Sequence, residues 1–252
     1  MMKAIWMEIQ CEFLSRLRTP RYSIPVLSFP LMFYLFFGVI LQNGKLGGVT
    51  PAVYVMCTMA SMGVMFAPLT GLGAGIAAER GLGWMEVKRA SPMPPIGWFL
   101  AKFCGGMAFS AIVIAALFLM AATLGGVRMP AAQWATLGGA LMAGAVPFCV
   151  LGFVLGYLVT ASAAPAVINL VAMPMAFFSG IWVPVQFLPH FVRSIAGFLP
   201  EYHVAEMSET LAGATGHGSV MSHAQALIGL TIVFVAAARI VWRRDEGRVH
   251  AG

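Results

Sequence analysis

Residues 51–77 read PAVYVMCTMASMGVMFAPLTGLGAGIA, an apolar and small-residue stretch that contains no Lys, Arg, Asp or Glu. It lies within a longer charge-free run, residues 46–78. A helix needs about 20 apolar residues to cross the hydrocarbon core of a bilayer. The stretch therefore predicts a transmembrane helix, and the next question is how many others the chain contains.

The rest of the chain has the same character. Of its 252 residues, 60% are hydrophobic and only 10% are charged, whereas an ordinary soluble domain carries about 25% charged residues. This composition excludes a soluble globular protein with a large core. Five charge-free runs, the longest of which is long enough for two helices, predict an all-α membrane protein with six transmembrane helices, near 22–42, 52–77, 99–126, 132–159, 164–183 and 223–242.

Basic residues concentrate in three places: the first 21 residues, the segment between the second and third predicted spans, and the C-terminal end. An even number of spans puts these three places on one side of the membrane, and Lys and Arg are enriched on the cytoplasmic side. We therefore predict a multi-pass protein of the cell membrane with both termini in the cytoplasm. The net charge of +6 reflects this bias, so we predict no nucleic-acid partner.

The N-terminal segment, residues 1–21, has the pattern of an amphipathic helix lying in the membrane interface. Its apolar stripe consists of Ile5, Ile9, Phe13 and Leu17, and its polar residues Glu8, Glu12, Ser15 and Arg16 face elsewhere. This helix is either a membrane anchor alone or a contact for a cytoplasmic partner.

The extracytoplasmic segment 184–222, after the fifth predicted span, contains a helix whose apolar residues share one face, which predicts that this helix either re-enters towards the membrane or covers a cavity. The apolar residues are Leu188, Phe191, Val192, Ile195, Phe198 and Leu199. Glu201, His203, Glu206 and Glu209 follow, but one imidazole with scattered carboxylates is weak support for a metal, and we predict none.

Motifs for chemistry are missing from the sequence. There is no GxxxxGK[ST] phosphate loop, no HExxH and no GxSxG, and the centres of the predicted spans carry no ionisable group. The glycine pairs Gly71/Gly75 and Gly152/Gly156 match GxxxG, which predicts close helix packing. We therefore predict that the chain is not an enzyme, and that any transport it performs draws energy from another subunit.

The charged segment 79–95 interrupts the apolar pattern. It lies within the stretch from Ile76 to Pro95, which reads IAAERGLGWMEVKRASPMPP. It is either a solvated loop that obeys the positive-inside bias or a rigid projection that docks a partner. For docking, Trp84 offers an apolar anchor, and the charges around it would set the orientation of the partner.

This segment resembles the cytoplasmic loop of the type-2 permease family of ATP-binding-cassette (ABC) exporters. In that family a Glu-Arg pair is followed by Glu-Gly-Thr-Leu-Glu, two apolar residues, and Thr or Ser before Pro. Glu79-Arg80, Gly83, Glu86 and Ser91-Pro92 match this pattern, whereas Leu82, Trp84 and Lys88-Arg89 depart from it. A second similarity lies in Met173–Pro189, MPMAFFSGIWVPVQFLP, and in the LPEYHVAEM that follows.

The resemblance implies a single permease domain over 1–252 that acts as a dimer, identical or mixed, in membrane lipid with two cytoplasmic ATPase subunits. ATP and Mg would bind to the ATPase, and no cofactor to this chain. The N-terminal helix would also touch the ATPase. The residues implied in coupling to it are Glu79, Arg80, Gly83, Trp84, Glu86, Lys88, Arg89 and Pro92.

The cargo is suggested by the residues near the fifth span. Met173, Met175, Phe177, Phe178 and Trp182 could line an apolar substrate path, or they could simply pack in the core. We predict export of a hydrophobic or amphipathic small molecule, drug-like or lipid-like. The alternatives are a polysaccharide or lipid-linked glycan, or a non-transporting scaffold or sensor that docks a cytoplasmic partner.

Overall fold

The computed structural model describes residues 2–41, 44–85, 95–214 and 218–249. Within these ranges the chain is helical, with one isolated bridge between Leu46 and Val49 and no β-strand. The helices are α1 (Met2–Leu17), α2 (Pro20–Ile40), α3 (Pro51–Gly81), α4 (Pro95–Thr123), α5 (Ala131–Leu158), α6 (Ala164–Phe178), α7 (His190–Ala196), α8 (Pro200–Leu211) and α9 (Val220–Val249).

Five of these helices, α2, α3, α4, α5 and α9, are long and apolar enough to cross a membrane. Each lies within a few residues of a predicted span. The remaining prediction, 164–183, corresponds to α6, which has only 15 residues and is therefore about 22 Å long. This helix ends early because Gly180 turns the chain with φ 85°, and Val185 packs so closely that a Cβ on Gly180 would lie 2.4 Å from its Cγ2. Six spans therefore remain a prediction.

Prolines shape the long helices. α2, α3 and α8 each begin at a proline, which suits the first helical position because its missing N–H would be unsatisfied there anyway. Pro30 and Pro68 lie just before π-helical segments, Tyr34–Ile40 in α2 and Leu69–Ala74 in α3. Proline removes a backbone hydrogen-bond donor from the helix, and the α-helix changes to the wider π-helix in the turns that follow.

Helix α3 is the centre of the bundle, where it packs against α2, α4, α5 and α8. Gly152 and Gly156 allow α5 to approach α3 closely, since a Cβ on Gly152 would lie 2.9 Å from the carbonyl oxygen of Pro68 in α3. The predicted packing role of this glycine pair is confirmed. The other pair is divided: a Cβ on Gly71 would lie 2.8 Å from both Arg16 Nη1 of α1 and the Tyr22 hydroxyl of α2, whereas nothing lies within 4 Å of a Cβ on Gly75.

Helix α1 packs on α4 with charged residues facing the protein. Arg16 is only 6% exposed, and the Glu12 side chain is nearly as buried. Trp6, Leu14 and Leu17 are exposed. The pattern predicted a helix with an apolar and a polar side, but it did not reveal that Glu12 and Arg16 of the polar side pack against the bundle together with Phe13, whose ring centroid lies 5.8 Å from that of Phe109.

The segment after α6 packs differently from the single apolar face expected. Val192 and Leu188 are buried, whereas Phe191 and Phe198 are exposed, so the predicted face is divided between the protein and its surroundings. Helix α8 packs among α3, α5 and α9. Its Val204 occupies the space that a side chain at Gly144 of α5 would need.

Candidate functional site

A buried lysine connects three helices at the end of the bundle where α3 ends and α4 begins, called here the loop end. Lys102 of α4 is 1% exposed, and its Nζ donates to Glu12 Oε2 of α1 at 2.9 Å and to Glu79 Oε1 of α3 at 2.6 Å. Trp98 Nε1 donates to the other oxygen of Glu79 at 3.2 Å. Burial of a lone ammonium group is costly, and the two carboxylates offset that cost for Lys102.

Arg16 extends the same cluster from α1. Its Nε and Nη2 donate to Glu12 Oε1 at 2.9 and 2.8 Å. The guanidinium lies against Gly71 of α3 and Gly106 of α4, where Cβ atoms would lie 2.8 and 3.6 Å from Nη1. Small residues on both helices thus leave room for this group. The cluster contains two cations, Arg16 and Lys102, and two anions, Glu12 and Glu79, so it has no net charge.

The electrostatics of Glu12 follow from this arrangement. Burial opposes ionisation of its carboxyl, but Lys102 and Arg16 outweigh that effect and hold its pKa below the usual value. Glu12 is therefore an anion at neutral pH, bonded to cations from two helices. We name the four residues Glu12, Arg16, Glu79 and Lys102 the ion cluster.

Arg80, next to Glu79, attaches the end of α3 to two more helices. Its Nη1 donates to the carbonyl oxygens of Tyr157 at 2.8 Å and Gly156 at 3.3 Å, and its Nη2 donates to Asp245 Oδ1 of α9 at 2.8 Å. The guanidinium also lies 5.0 Å from the centroid of the Tyr157 ring. A cation at these carbonyls stabilises the C-terminal end of α5, so Glu79 and Arg80 both anchor the start of the charged segment.

Beyond this anchor the chain turns outward. Gly83 has φ 72°, a left-handed conformation that favours glycine. Leu82 and Trp84 are exposed, and the backbone at Trp84 is helical again. The other residues predicted for coupling lie outside the described residues: Glu86, Lys88, Arg89 and Pro92.

A cavity of about 420 Å³ lies between α2 and α6, with α3 behind it. Both helices pack on α3 and make little contact with each other. Its walls are mostly apolar, with a few polar groups. The lining residues are Thr19, Arg21, Tyr22, Pro25, Val26, Phe29, Pro30, Met62, Phe66, Thr70, Ala74, Pro165, Asn169 and Met173.

An apolar cleft continues from this cavity along α6. Met173 lines both, and the cleft is completed by Pro174, Phe177, Phe178 and Trp182. The structure thus brings together four of the five residues predicted for a substrate path. Met175 is not among them, because its side chain is buried in the main core.

At the opposite end of the bundle, α8 carries a buried polar group. Glu201 is fully buried, and neither of its carboxyl oxygens has a hydrogen-bond partner among the described residues. Burial raises its pKa to about 8. His203 Nε2 donates to the Gly197 carbonyl at 3.0 Å, so its Nδ1 accepts from His223 Nδ1 at 2.9 Å when both rings are neutral. No group of three or more potential ligands for a metal exists in the described ranges.

The chain matches the family model described as "ABC-2 type transporter" over residues 3–210. It belongs to the ABC-2 type transporter family. Over 230 residues it is also 24% identical to "Putative transport permease YvfS" of Bacillus subtilis (strain 168), a similarity that covers 91% of this chain and 93% of that protein. The resemblance seen in the sequence is thereby confirmed.

As an ABC-2 family member, the chain is a membrane permease subunit of an ABC transporter and works with an ATP-binding-cassette ATPase. Sequence reasoning missed part of the site of this permease. It placed Glu12 and Arg16 on the polar side of the N-terminal helix, and it did not single out Lys102. The available signal was that Lys102 precedes a charge-free run of 25 residues, where a basic residue needs a partner.

Proposed function

We propose that this permease exports a hydrophobic or amphipathic small molecule, with both termini and the loop end in the cytoplasm. The observation that carries the proposal is the apolar surface along α6, where Met173 lines both the 420 Å³ cavity and the cleft that Trp182 completes. Cavities of roughly 300–1,000 Å³ with mostly apolar walls are typical of sites for drug-sized ligands. A glycan would instead require many polar partners along the path.

The orientation of the chain rests on the contacts at the loop end. There α1 meets α4 through the Glu12–Lys102 ion pair, and the end of α3 meets the last turns of α9 through the Arg80–Asp245 ion pair. The basic residues of the sequence cluster in the same segments, and such residues favour the cytoplasmic side. On this proposal α7 and α8 lie on the outer side and re-enter the membrane.

The coupling proposal assigns two roles within 79–95. Glu79 and Arg80 are positioning residues, since their side chains bond to α4, α5 and α9. Gly83, Trp84, Glu86, Lys88, Arg89 and Pro92 form the surface for the ATPase, with exposed Trp84 as the apolar anchor. A movement of the ATPase would then reach the bundle through the end of α3.

A second copy of the permease is the partner we propose for the exposed aromatic residues of α2. Phe36 and Phe37 are exposed in the π-helical segment of α2, and Phe177 of α6 is half exposed. Trp182 already packs at right angles to Phe33, with ring centroids 4.8 Å apart. A dimer formed on this side would enclose the cleft between two copies.

The test of the proposed function uses inside-out vesicles that contain the permease and its ATPase. ATP should drive the uptake of a lipophilic fluorescent dye, and Met173→Trp should reduce that uptake at least about ten-fold by blocking the junction between the cavity and the cleft. Met221→Trp is the matched control, because Met221 is exposed on α9 and lines neither space. Equal uptake by the two variants would contradict the assignment of the path.

A further inference from the structure

The cavity between α2, α3 and α6 has a polar end and an apolar end. Thr19 and Arg21 at the start of α2, Thr70 late in α3, and Asn169 in the second turn of α6 provide the polar end. Phe29 and Met62 lie eight residues away from Arg21 and Thr70 along their helices, which corresponds to about 12 Å. A molecule that fills the cavity therefore meets polar groups on one side and hydrocarbon on the other.

The polar end carries a positive charge. Arg21 lines it and has no hydrogen bond or ion pair with any described residue, and no Asp or Glu is among the lining residues. The first turns of α2 and α6 both contribute lining residues, Arg21 and Pro165. Since helix N-termini carry partial positive charge, both helix ends add to the field of the guanidinium.

Asn169 supplies a second polar contact. It is exposed, lines the cavity, and its amide has no hydrogen bond to the described part of the chain. Residues 164–178 otherwise consist of apolar residues and prolines. An amide on such a helix needs a polar partner, because hydrocarbon cannot satisfy its donors and acceptor.

We infer that this cavity binds a single-chain anionic amphiphile, with the anionic head at Arg21 and Asn169 and the chain along Phe29, Phe66 and Met173. The inference rests on the proposed function and deepens it, because it gives the cargo a charge and an orientation. The head faces the loop end, as in a molecule taken from the inner leaflet. Arg21 is then a specificity-determining residue that selects ligands by their negative charge, whereas the apolar wall selects only for a hydrocarbon chain.

The experiment measures binding without ATP, so that it does not depend on export. The permease–ATPase complex in phosphatidylcholine nanodiscs is titrated with a fluorescent medium-chain fatty acid, with its methyl ester and with the corresponding alkylamine. The fatty acid should bind at least about ten-fold more tightly than either comparison probe. Arg21→Gln should weaken fatty-acid binding about ten-fold and leave the methyl ester unchanged, because it removes a charge-assisted contact.

Arg18→Gln is the matched control, since Arg18 is an exposed arginine in the turn between α1 and α2, three residues earlier, that does not line the cavity. Equal losses for Arg18→Gln and Arg21→Gln would overturn the inference, because they would indicate a diffuse surface charge. Displacement of the probe by phosphatidylglycerol in the nanodisc would also overturn it in favour of a resident lipid. Tight, Arg21-dependent binding without ATP-driven movement would support the inference while refuting the proposed export.

Discussion

Replacing Lys102 with methionine tests the ion cluster directly. Methionine has a similar length and no charge, so the change removes the ammonium group and leaves Glu12 and Glu79 facing each other in a buried place. Lys102 makes two charge-assisted hydrogen bonds, each worth about 1.5–3 kcal/mol. Breaking a buried pair by removing one partner costs about 3–5 kcal/mol.

The lower half of that range is expected here. The Glu79 side chain is 24% exposed, so water can solvate part of its charge once the lysine is gone. Arg16 also remains as a partner for Glu12. Together these features put the expected loss in the free energy of unfolding at about 3–4 kcal/mol.

Equilibrium unfolding in mixed micelles, followed by tryptophan fluorescence, measures the loss. Lys45→Met is the control, because Lys45 is exposed and forms no ion pair within the described ranges. Adding Glu79→Gln to Lys102→Met should restore most of the stability, because it removes the stranded charge and leaves Glu12 paired with Arg16. A loss below about 1 kcal/mol for Lys102→Met, the value typical of an exposed pair, would refute the reasoning.

Three further predictions concern other parts of the molecule. Glu201→Gln should raise the free energy of unfolding by about 3 kcal/mol at pH 7, because the wild-type carboxyl must be protonated in the folded state. Because the folded-state pKa is raised, the contribution of Glu201 to stability is complete below pH 4.5 and is lost as pH rises towards 8, so parallel curves of stability against pH for variant and wild type would contradict this. Gly152→Ala should destabilise by about 1–3 kcal/mol through its contact with the Pro68 carbonyl, whereas Gly139→Ala, with nothing within 4 Å, should be neutral in the same thermal unfolding measurement. Trp84→Ala should weaken association with the ATPase at least about ten-fold in pull-down titrations, and unchanged association would remove Trp84 from the proposed docking surface.

Much of the architecture could be predicted from charge-free runs alone. A membrane segment must exclude charge over its whole length, so such runs located α3 and α5 to within a few residues at most ends. α6 was harder, because the apolar sequence continues past Phe178 while the backbone turns at Gly180. Hydrophobicity indicates which segments can lie in the membrane, but it does not indicate where a helix ends.

The candidate site was only partly predictable for a different reason. Glu79 and Arg80 were found by their resemblance to a family motif, but their partners lie far away in sequence, at Lys102 and Asp245. Nothing local in the sequence pairs residues that distant. Met175 shows the same limit, because the sequence cannot say which residues of an apolar helix face a cleft and which face the core.

The burial of the charged side of α1 has a consequence for how the protein is made. Arg16 and Glu12 find their partner Lys102 only 86 and 90 residues later in the chain. If α1 lies in the membrane interface as its sequence predicts, it waits there, with exposed Trp6 and Leu14 towards the lipid, until α4 has been inserted. In that interval Glu12 and Arg16 neutralise each other within one helix, so α1 does not expose an unpaired charge from this pair to the bilayer.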